Sequence, residues 1–196
     1  PCLHTFYGIT NNPSHDTIAI EDEEMKLNIG SAIAGVLALN GATVHMVSTS
    51  NDKLKNIQRG FRRITGDSSR IEYSALDLLD ENQVKGFVQN LPFDMPLYWV
   101  QSVGLGAGSY NLKEDNPYLA LEEIPVELIE KESQTVLRAT HLMMKEFLPR
   151  FRKQKETRIA LITSMSAVRS YSLGGTHCAA KGAIDRYANS AMLALY

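Results

Sequence analysis

Residues 164–181 read Ser164-Met-Ser-Ala-Val-Arg-Ser-Tyr-Ser-Leu-Gly-Gly-Thr-His177-Cys-Ala-Ala-Lys181. They follow an apolar run, residues 158–163, that is typical of a buried strand, and they lead into a helical pattern over residues 176–195. Ser164 is therefore expected at the end of a strand, with His177 and Lys181 on the next helix. The segment therefore brings a hydroxyl, an imidazole and an amine to one strand–helix junction.

The rest of the chain also alternates strand and helix patterns. The strand patterns are residues 17–20, 43–47, 70–73, 96–103 and 158–163, and the helical patterns are residues 29–37, 51–64, 80–89, 127–151 and 176–195. Asn40-Gly41 supplies a left-handed turn that ends the first helix. Strands separated by helices predict one α/β domain over residues 1–196, with a doubly wound parallel sheet. Residues 1–16 are expected to be an irregular N-terminal segment, and residues 111–118 a polar loop.

Composition excludes several classes of protein. The 196 residues are 44% hydrophobic and 21% charged, as in ordinary soluble domains. A net charge of −2 creates no general attraction for nucleic acid or anionic lipid. Two cysteines, Cys2 and Cys178, are too few for a disulfide framework, which favours a reducing, cytoplasmic location. Neither a membrane-spanning run nor a signal-peptide pattern is present in the sequence.

The spacing of Ser164 and Lys181 resembles the active-site segment of short-chain dehydrogenases/reductases. The resemblance implies a Rossmann-like fold in which Ser polarises a substrate carbonyl, Tyr transfers a proton, and Lys assists the Tyr and holds the nicotinamide ribose. Ser164 and Lys181 match this pattern, whereas His177 occupies the Tyr position. Two interpretations of His177 stay open, a catalytic acid in place of Tyr and a tolerated replacement in an idle site. The family Asn of the preceding helix falls near Val136.

The resemblance also implies positions for a dinucleotide, NADPH or NADH. Ser48 and Thr49 stand where NAD-preferring members carry an acid, with no Arg for the phosphate of NADP. The cofactor-binding candidates are Asn28, Ile29, Gly30, Ser48, Asp77, Leu78, Ser102, Gly104 and Lys181. Asp77 and Gly104 also have ordinary structural interpretations, as a capping residue and as a turn glycine.

The first strand–helix turn is expected between the strand at 17–20 and Gly30. Lys26-Leu27-Asn28-Ile29-Gly30 is similar to the divergent enoyl-acyl-carrier-protein reductases, with Asn28 for a Ser and Asp22 for the leading Gly. The acidic residues 21–24 would repel a pyrophosphate. This segment is either a solvated loop at a helix N-terminus or a remodelled cofactor turn. The alternatives for the cofactor are therefore NADPH, NADH or no cofactor.

Two functions follow from these observations. The first is an NAD(P)H-dependent reductase of a carbonyl or enoyl substrate, perhaps an acyl thioester, that uses Ser164, His177 and Lys181. The second is a catalytically inactive homologue that serves as a structural or regulatory subunit. The helices at 127–151 and 176–195 carry apolar and small residues that favour a homo-oligomer, or a hetero-oligomer with an active relative, over intramolecular packing alone. Family members continue with further strands, so the sheet is expected to lack its C-terminal strands.

Overall fold

The computed structural model describes residues 4–8, 17–20, 23–26, 28–65, 70–92, 95–105, 120–170 and 174–195. The strands in these ranges are β1 (His4–Gly8), β2 (Thr17–Ile20), β3 (Glu23–Lys26), β4 (Thr43–Ser48), β5 (Ile71–Ala75), β6 (Leu97–Gln101) and β7 (Thr157–Leu161). The α-helices are α1 (Ile29–Leu39), α2 (Asn51–Thr65), α3 (Glu81–Gln89), α4 (Val126–Ser133), α5 (Ala139–Phe151) and α6 (Gly175–Leu193). Residues 111–118, expected to form a polar loop, lie outside the described ranges.

One parallel sheet organises the described part of the chain. Its order is β5-β4-β1-β6-β7, and every neighbouring pair is parallel. Parallel neighbours need crossover connections, which the intervening helices supply. The α/β fold with a parallel sheet, predicted from the alternating patterns, is confirmed.

Helices cover both faces of this sheet. On one face, α1 and α2 pack over β4 and β5 in a buried cluster that includes Ala34, Leu54, Phe61, Val44 and Ile71. On the other face, α3 and α5 pack over β6 in a cluster that includes Val84, Met143, Phe147, Leu97 and Trp99. Burying a side chain such as that of Phe147 stabilises the fold by about 1.5–3 kcal/mol.

The strand at the centre of the sheet differs from the one expected. Residues 17–20 form a strand, but Thr17–Ile20 pairs antiparallel with Glu23–Lys26 in a separate hairpin. The central strand is His4–Gly8, which pairs with both β4 and β6, inside the segment expected to be irregular. The prediction that residues 17–20 begin the sheet was wrong because β-branched residues indicate a strand without indicating which strand it pairs with.

The long helix predicted over 127–151 is interrupted. A π-helical segment, Gln134–Arg138, separates α4 from α5. Such a segment carries an extra residue per turn and changes which side chains face a neighbour. The hydroxyl of Thr140 donates to the Val136 carbonyl at 2.6 Å and accepts from the Gln101 amide at 3.3 Å. These bonds join the long helix to the end of β6.

The predicted end of the first helix is confirmed. Asn40 caps α1, and Gly41 has a φ of 91°. A side chain other than glycine is strained in this left-handed conformation. The turn directs the chain into β4.

Candidate functional site

Several candidate residues lie at the carboxyl ends of the parallel strands. Ser48 is the last residue of β4, Ser102 follows the end of β6, and Asp77 and Ser164 follow β5 and β7 by two and three residues. Ligands of open α/β sheets bind at this edge. The topology therefore brings the strand-end candidates to the side of the sheet where a ligand is expected.

The N-terminus of α1 is closed by a capping box. The Asn28 side chain accepts from the Ser31 N–H at 2.9 Å, and the Ser31 hydroxyl accepts from the Asn28 N–H at 2.8 Å. The Ile29 and Gly30 N–H groups, at the first two helical positions, have no acceptor within the helix. These N–H groups suit an anion such as a pyrophosphate. Gly30 is buried, whereas Ile29 is exposed.

The first strand–helix connection runs from Gly8 to Asn28, and not from the strand at 17–20. It contains the β2–β3 hairpin, whose second strand, Glu23–Lys26, lies against α2. The alignment that puts Asp22 in place of the first glycine of this turn was therefore wrong, because the strand that leads into the turn ends at Gly8. The acidic residues Glu23 and Glu24 belong to the hairpin, and residues 21–22 lie outside the described part.

Ser164 begins a short 3-10 turn, Met165–Ala167. Its hydroxyl accepts from the Ser166 N–H at 3.2 Å and lies 2.9 Å from the Ser166 hydroxyl. Helix α6 packs against this turn. These contacts hold the Ser164 side chain at the junction between β7 and α6.

Lys181 is buried between the ends of β6 and β7. Its ammonium donates to the Ile162 carbonyl at 3.2 Å, two residues before Ser164. A Cβ atom on Gly104 would lie 3.0 Å from Lys181 Nζ, so the absence of a side chain makes room for the amine. Burial lowers the pKa of Lys181, and the Glu132 carboxylate opposes part of that effect.

His177 pairs with a residue that the sequence did not indicate. Its Nδ1 lies 3.1 Å from Oε1 of Glu132, whose side chain is 1% exposed. A carboxylate accepts this bond when Nδ1 carries the hydrogen, and Nε2 is then the ring nitrogen left for chemistry. The structure thus groups Glu132, His177 and Lys181 beside the turn that begins at Ser164.

The sequence did not predict a role for Glu132, because residues 127–151 were treated as one regular helix. Aligned in that way, Val136 takes the position of the family Asn, but Val136 is buried against Ala180 and Ile184. The polar side chain that reaches the site lies one turn earlier, before the π-segment. The available signal was a charged residue four positions before buried Val136, on a helix face expected to be apolar.

The other cofactor candidates have local structural roles. Ser48 is buried, and its hydroxyl accepts from the Ser50 N–H at 3.4 Å. The Asp77 carboxylate accepts from the Leu79 N–H at 2.9 Å, which is typical of a turn. Leu78 belongs to the hydrophobic core, and Ser102 is half-buried. These residues lie at the carboxyl edge of the sheet. Their local hydrogen bonds and packing are compatible with contact to a cofactor.

Metal and membrane sites were searched in the same residues. The described ranges contain no group of three or more His, Cys, Asp or Glu side chains arranged to hold a metal ion. Among the helices that the structure describes, none combines the length and the apolar character needed to span a bilayer.

Comparisons with solved structures place the fold among short-chain dehydrogenases. A short-chain dehydrogenase/reductase from Vibrio parahaemolyticus is 20% identical with a TM-score of 0.72, covering 96% of this chain and 69% of that one. A short-chain type dehydrogenase/reductase from Mycobacterium ulcerans is 18% identical with a TM-score of 0.71, covering 94% and 59%. A short chain dehydrogenase from Escherichia coli CFT073, complexed with NADPH, is 19% identical with a TM-score of 0.70, covering 93% and 68%. The chain therefore spans between 59% and 69% of the length of these three relatives.

Sequence comparison identifies the family. No curated protein sequence matches the chain significantly. A family model described as short chain dehydrogenase matches residues 27–196, which include α1 and every later element. The similarity to the enoyl-acyl-carrier-protein reductase branch is not confirmed by these matches. On the strength of the family-model match, the chain belongs to the short-chain dehydrogenase family.

Proposed function

We propose that this protein is an NAD(P)H-dependent oxidoreductase that reduces a carbonyl or enoyl substrate, with Ser164, His177 and Lys181 as the reactive set. The observation that carries the proposal is the position of the Lys181 ammonium. It lies against Gly104 at the end of β6 and bonds to Ile162 at the end of β7. This point on the carboxyl edge of a parallel sheet is where such folds bind nucleotides.

The described residues fit a nicotinamide dinucleotide at two places. The first two N–H groups of α1 suit the pyrophosphate, and the Lys181 ammonium beside Gly104 suits a ribose hydroxyl. One structural relative of this chain is complexed with NADPH. Ser48 and Thr49 supply neither an acid nor an arginine, so both NADH and NADPH belong in the test. When bound, the reduced nicotinamide supplies the hydride.

The chain's own residues orient the substrate and move the proton. The Ser164 hydroxyl donates a hydrogen bond to the substrate oxygen and polarises it. Nε2 of His177, the ring nitrogen not bonded to Glu132, delivers the proton to that oxygen. The positive charge of Lys181 stabilises the negative charge that develops on the oxygen during reduction.

A cofactor-free structural or regulatory subunit is the second candidate. The observation in its favour is the connection between Gly8 and Asn28, which contains the β2–β3 hairpin. Nucleotide-binding folds of this kind have a compact turn here instead, which lets the backbone approach the phosphates. This candidate predicts that Ser164, His177 and Lys181 stabilise the junction of β7 and α6 and bind no nucleotide.

A fluorescence titration with NADH and with NADPH separates the two candidates. We expect saturable binding of at least one nucleotide by the wild-type chain and substrate-dependent oxidation in a panel of carbonyl and enoyl compounds. Lys181→Ala should weaken binding and turnover, because it removes the buried ammonium. Lys153→Ala, at an exposed position, is the matched control and should change neither. A wild-type chain that saturates with neither nucleotide would exclude the reductase.

Assembly through the long helix and α6 is part of the proposal, with a second copy of this chain as the partner. An open groove of about 540 Å³ lies between these helices, lined by Ser133, Gln134, Leu137, Arg138, His141 and Tyr187. Leu137 and Tyr187 are only half-buried in the single chain, so pairing would bury them further. We expect a dimer by light scattering, and a monomer for Leu137→Glu. A wild-type monomer at micromolar concentration would contradict the proposal.

A further inference from the structure

Glu132 is the most deeply buried carboxylate among the described residues, and it faces the proposed reactive set. It lies in the last turn of α4, which packs on α6, and its side chain is 1% exposed. One oxygen, Oε1, bonds to His177 Nδ1 at 3.1 Å. The other, Oε2, has no hydrogen-bond partner among the described residues.

Stability alone does not account for a carboxylate at this position. Its neighbour in the helix, Val136, packs with Ala180 and Ile184, so an apolar side chain would suit the surroundings. Burying a carboxylate with one oxygen unpaired costs free energy that a leucine would not cost. The burial of Glu132 is therefore explained better by what its charge does to the residues it faces.

Glu132 faces two basic side chains, those of Lys181 and His177. Lys181 is buried, and the Glu132 carboxylate favours its charged form. His177 lies one helical turn before Lys181 on α6, and its Nδ1 contacts the same carboxylate. The Glu132 carboxylate therefore interacts with both residues.

We propose that Glu132 is a positioning residue for proton transfer by His177. By accepting the Nδ1–H, it fixes the tautomer and orientation of the ring, so that Nε2 is directed to the substrate oxygen. The same logic, with a carboxylate behind a histidine, operates in hydrolytic triads. This inference rests on the proposed function, because it assigns a role within that reaction.

The proton transfer balances with the reduced nicotinamide as the electron donor. The Nε2–H bond of the imidazolium breaks and an O–H bond forms on the substrate, while the hydride for the substrate carbon would be supplied by the bound reduced dinucleotide. The histidine is left neutral, with the Nδ1–H still donated to Glu132. Oxidation of an alcohol reverses each step.

Nitrogen-15 NMR of the His177 ring tests the pairing without any cofactor. The signal is assigned by comparison with a His177→Gln variant. At a pH where the ring is neutral, we expect Nδ1 to carry the hydrogen in the wild type, the minor tautomer of free histidine. An Nε2–H tautomer in the wild type would overturn the proposal, even if the Glu132→Leu variant does not fold. In Glu132→Leu, the Nδ1–H tautomer should no longer dominate.

Kinetics then test the positioning role. Glu132→Leu should lower kcat roughly 10- to 100-fold, by analogy with the loss of carboxylates that orient metal-bound histidines. The KM for substrate and the Kd for the nucleotide should change little, and Glu132→Gln, which keeps an acceptor oxygen, should recover part of kcat. Glu130→Gln, exposed on the same helix, is the matched control.

The outcomes separate this inference from the proposed function. Wild-type turnover with an unchanged kcat in Glu132→Leu would overturn the inference and leave the oxidoreductase intact. A wild type that binds no nucleotide would overturn the oxidoreductase and the positioning role together, while the NMR result would still decide whether Glu132 sets the tautomer of His177.

Discussion

Lys181 Nζ lies against the backbone of Gly104, where a Cβ atom would be only 3.0 Å away. The glycine follows the end of β6 by three residues and the lysine lies on α6, so two regions far apart in the sequence meet at the carboxyl edge of the sheet. A Cβ atom at that distance would be closer to Nζ than ordinary packing allows, and the amine is also held by the Ile162 carbonyl. The absence of a side chain at position 104 therefore determines where the buried charge lies.

Gly104→Ala should displace this amine. Nζ would have to move by a few tenths of an ångström, which weakens its bond to Ile162 and should lower nucleotide affinity or turnover roughly 10-fold. Because the end of a lysine side chain is flexible, we expect a loss in the free energy of unfolding below about 1 kcal/mol. Nucleotide titration and urea unfolding measure the two effects.

Gly182→Ala is the matched control for that change. Its Cβ would lie 3.8 Å from the Ala167 carbonyl, which is ordinary contact. Equal effects of the two substitutions on nucleotide binding would contradict the assigned role of Gly104.

The buried Lys181 makes stability depend on alkaline pH. Burial holds the pKa of Lys181 below its usual value of 10.5 in the folded protein. Between the folded pKa and 10.5 the unfolded chain binds more protons, so this group makes the free energy of unfolding rise with pH. Below that window both states are protonated and the gain is absent.

Comparison with Lys181→Met isolates this contribution, since the other groups titrate in both proteins. The stability of the wild type relative to the variant should increase as the pH rises from neutral to about 10.5. Urea unfolding at several pH values measures the difference, and a constant difference would contradict the shift.

Arg150 should be a determinant of stability rather than of activity. Its buried guanidinium donates to the Leu91 and Pro92 carbonyls at 2.8 and 2.9 Å, and also to the Val88 carbonyl. Arg150→Met would leave these acceptors without their donor, at a cost of about 2–4 kcal/mol in unfolding free energy. Thermal and urea unfolding measure the loss, with Arg59→Met at an exposed position as the control. A change below 1 kcal/mol would show that water replaces the guanidinium.

Gly35 brings α1 and α2 close together. A Cβ atom at this position would overlap the ring of Phe61, which is 5% exposed in the core. Gly35→Ala should therefore destabilise the protein by about 1–3 kcal/mol, although alanine is the better helix former. Gly86→Ala should instead be neutral or stabilising, because a Cβ atom added at this helical position would meet no neighbouring atom within 4 Å. The opposite order in urea unfolding would contradict the packing of α1 on α2.

Local patterns were sufficient for most of the fold. The strands at 43–47, 70–73 and 158–163 and the helices that follow them were predicted to within a few residues, because hydrophobic periodicity and turn residues act over short distances. The Asn40-Gly41 turn was predicted for the same reason. The family, too, was recognisable from the spacing of Ser164, His177 and Lys181.

Two features depended on contacts between distant residues. His4–Gly8 is the central strand because it fits between β4 and β6. Thr17–Ile20 has the stronger strand signal, but among the described residues it pairs only with its own hairpin partner. The π-segment turns Val136 into the core and leaves Glu132 to meet His177. Strand and helix propensities are properties of a few neighbouring residues. The order of strands in the sheet and the side of a helix that faces the core are set by the free energy of the whole packed chain. No local pattern therefore assigns them.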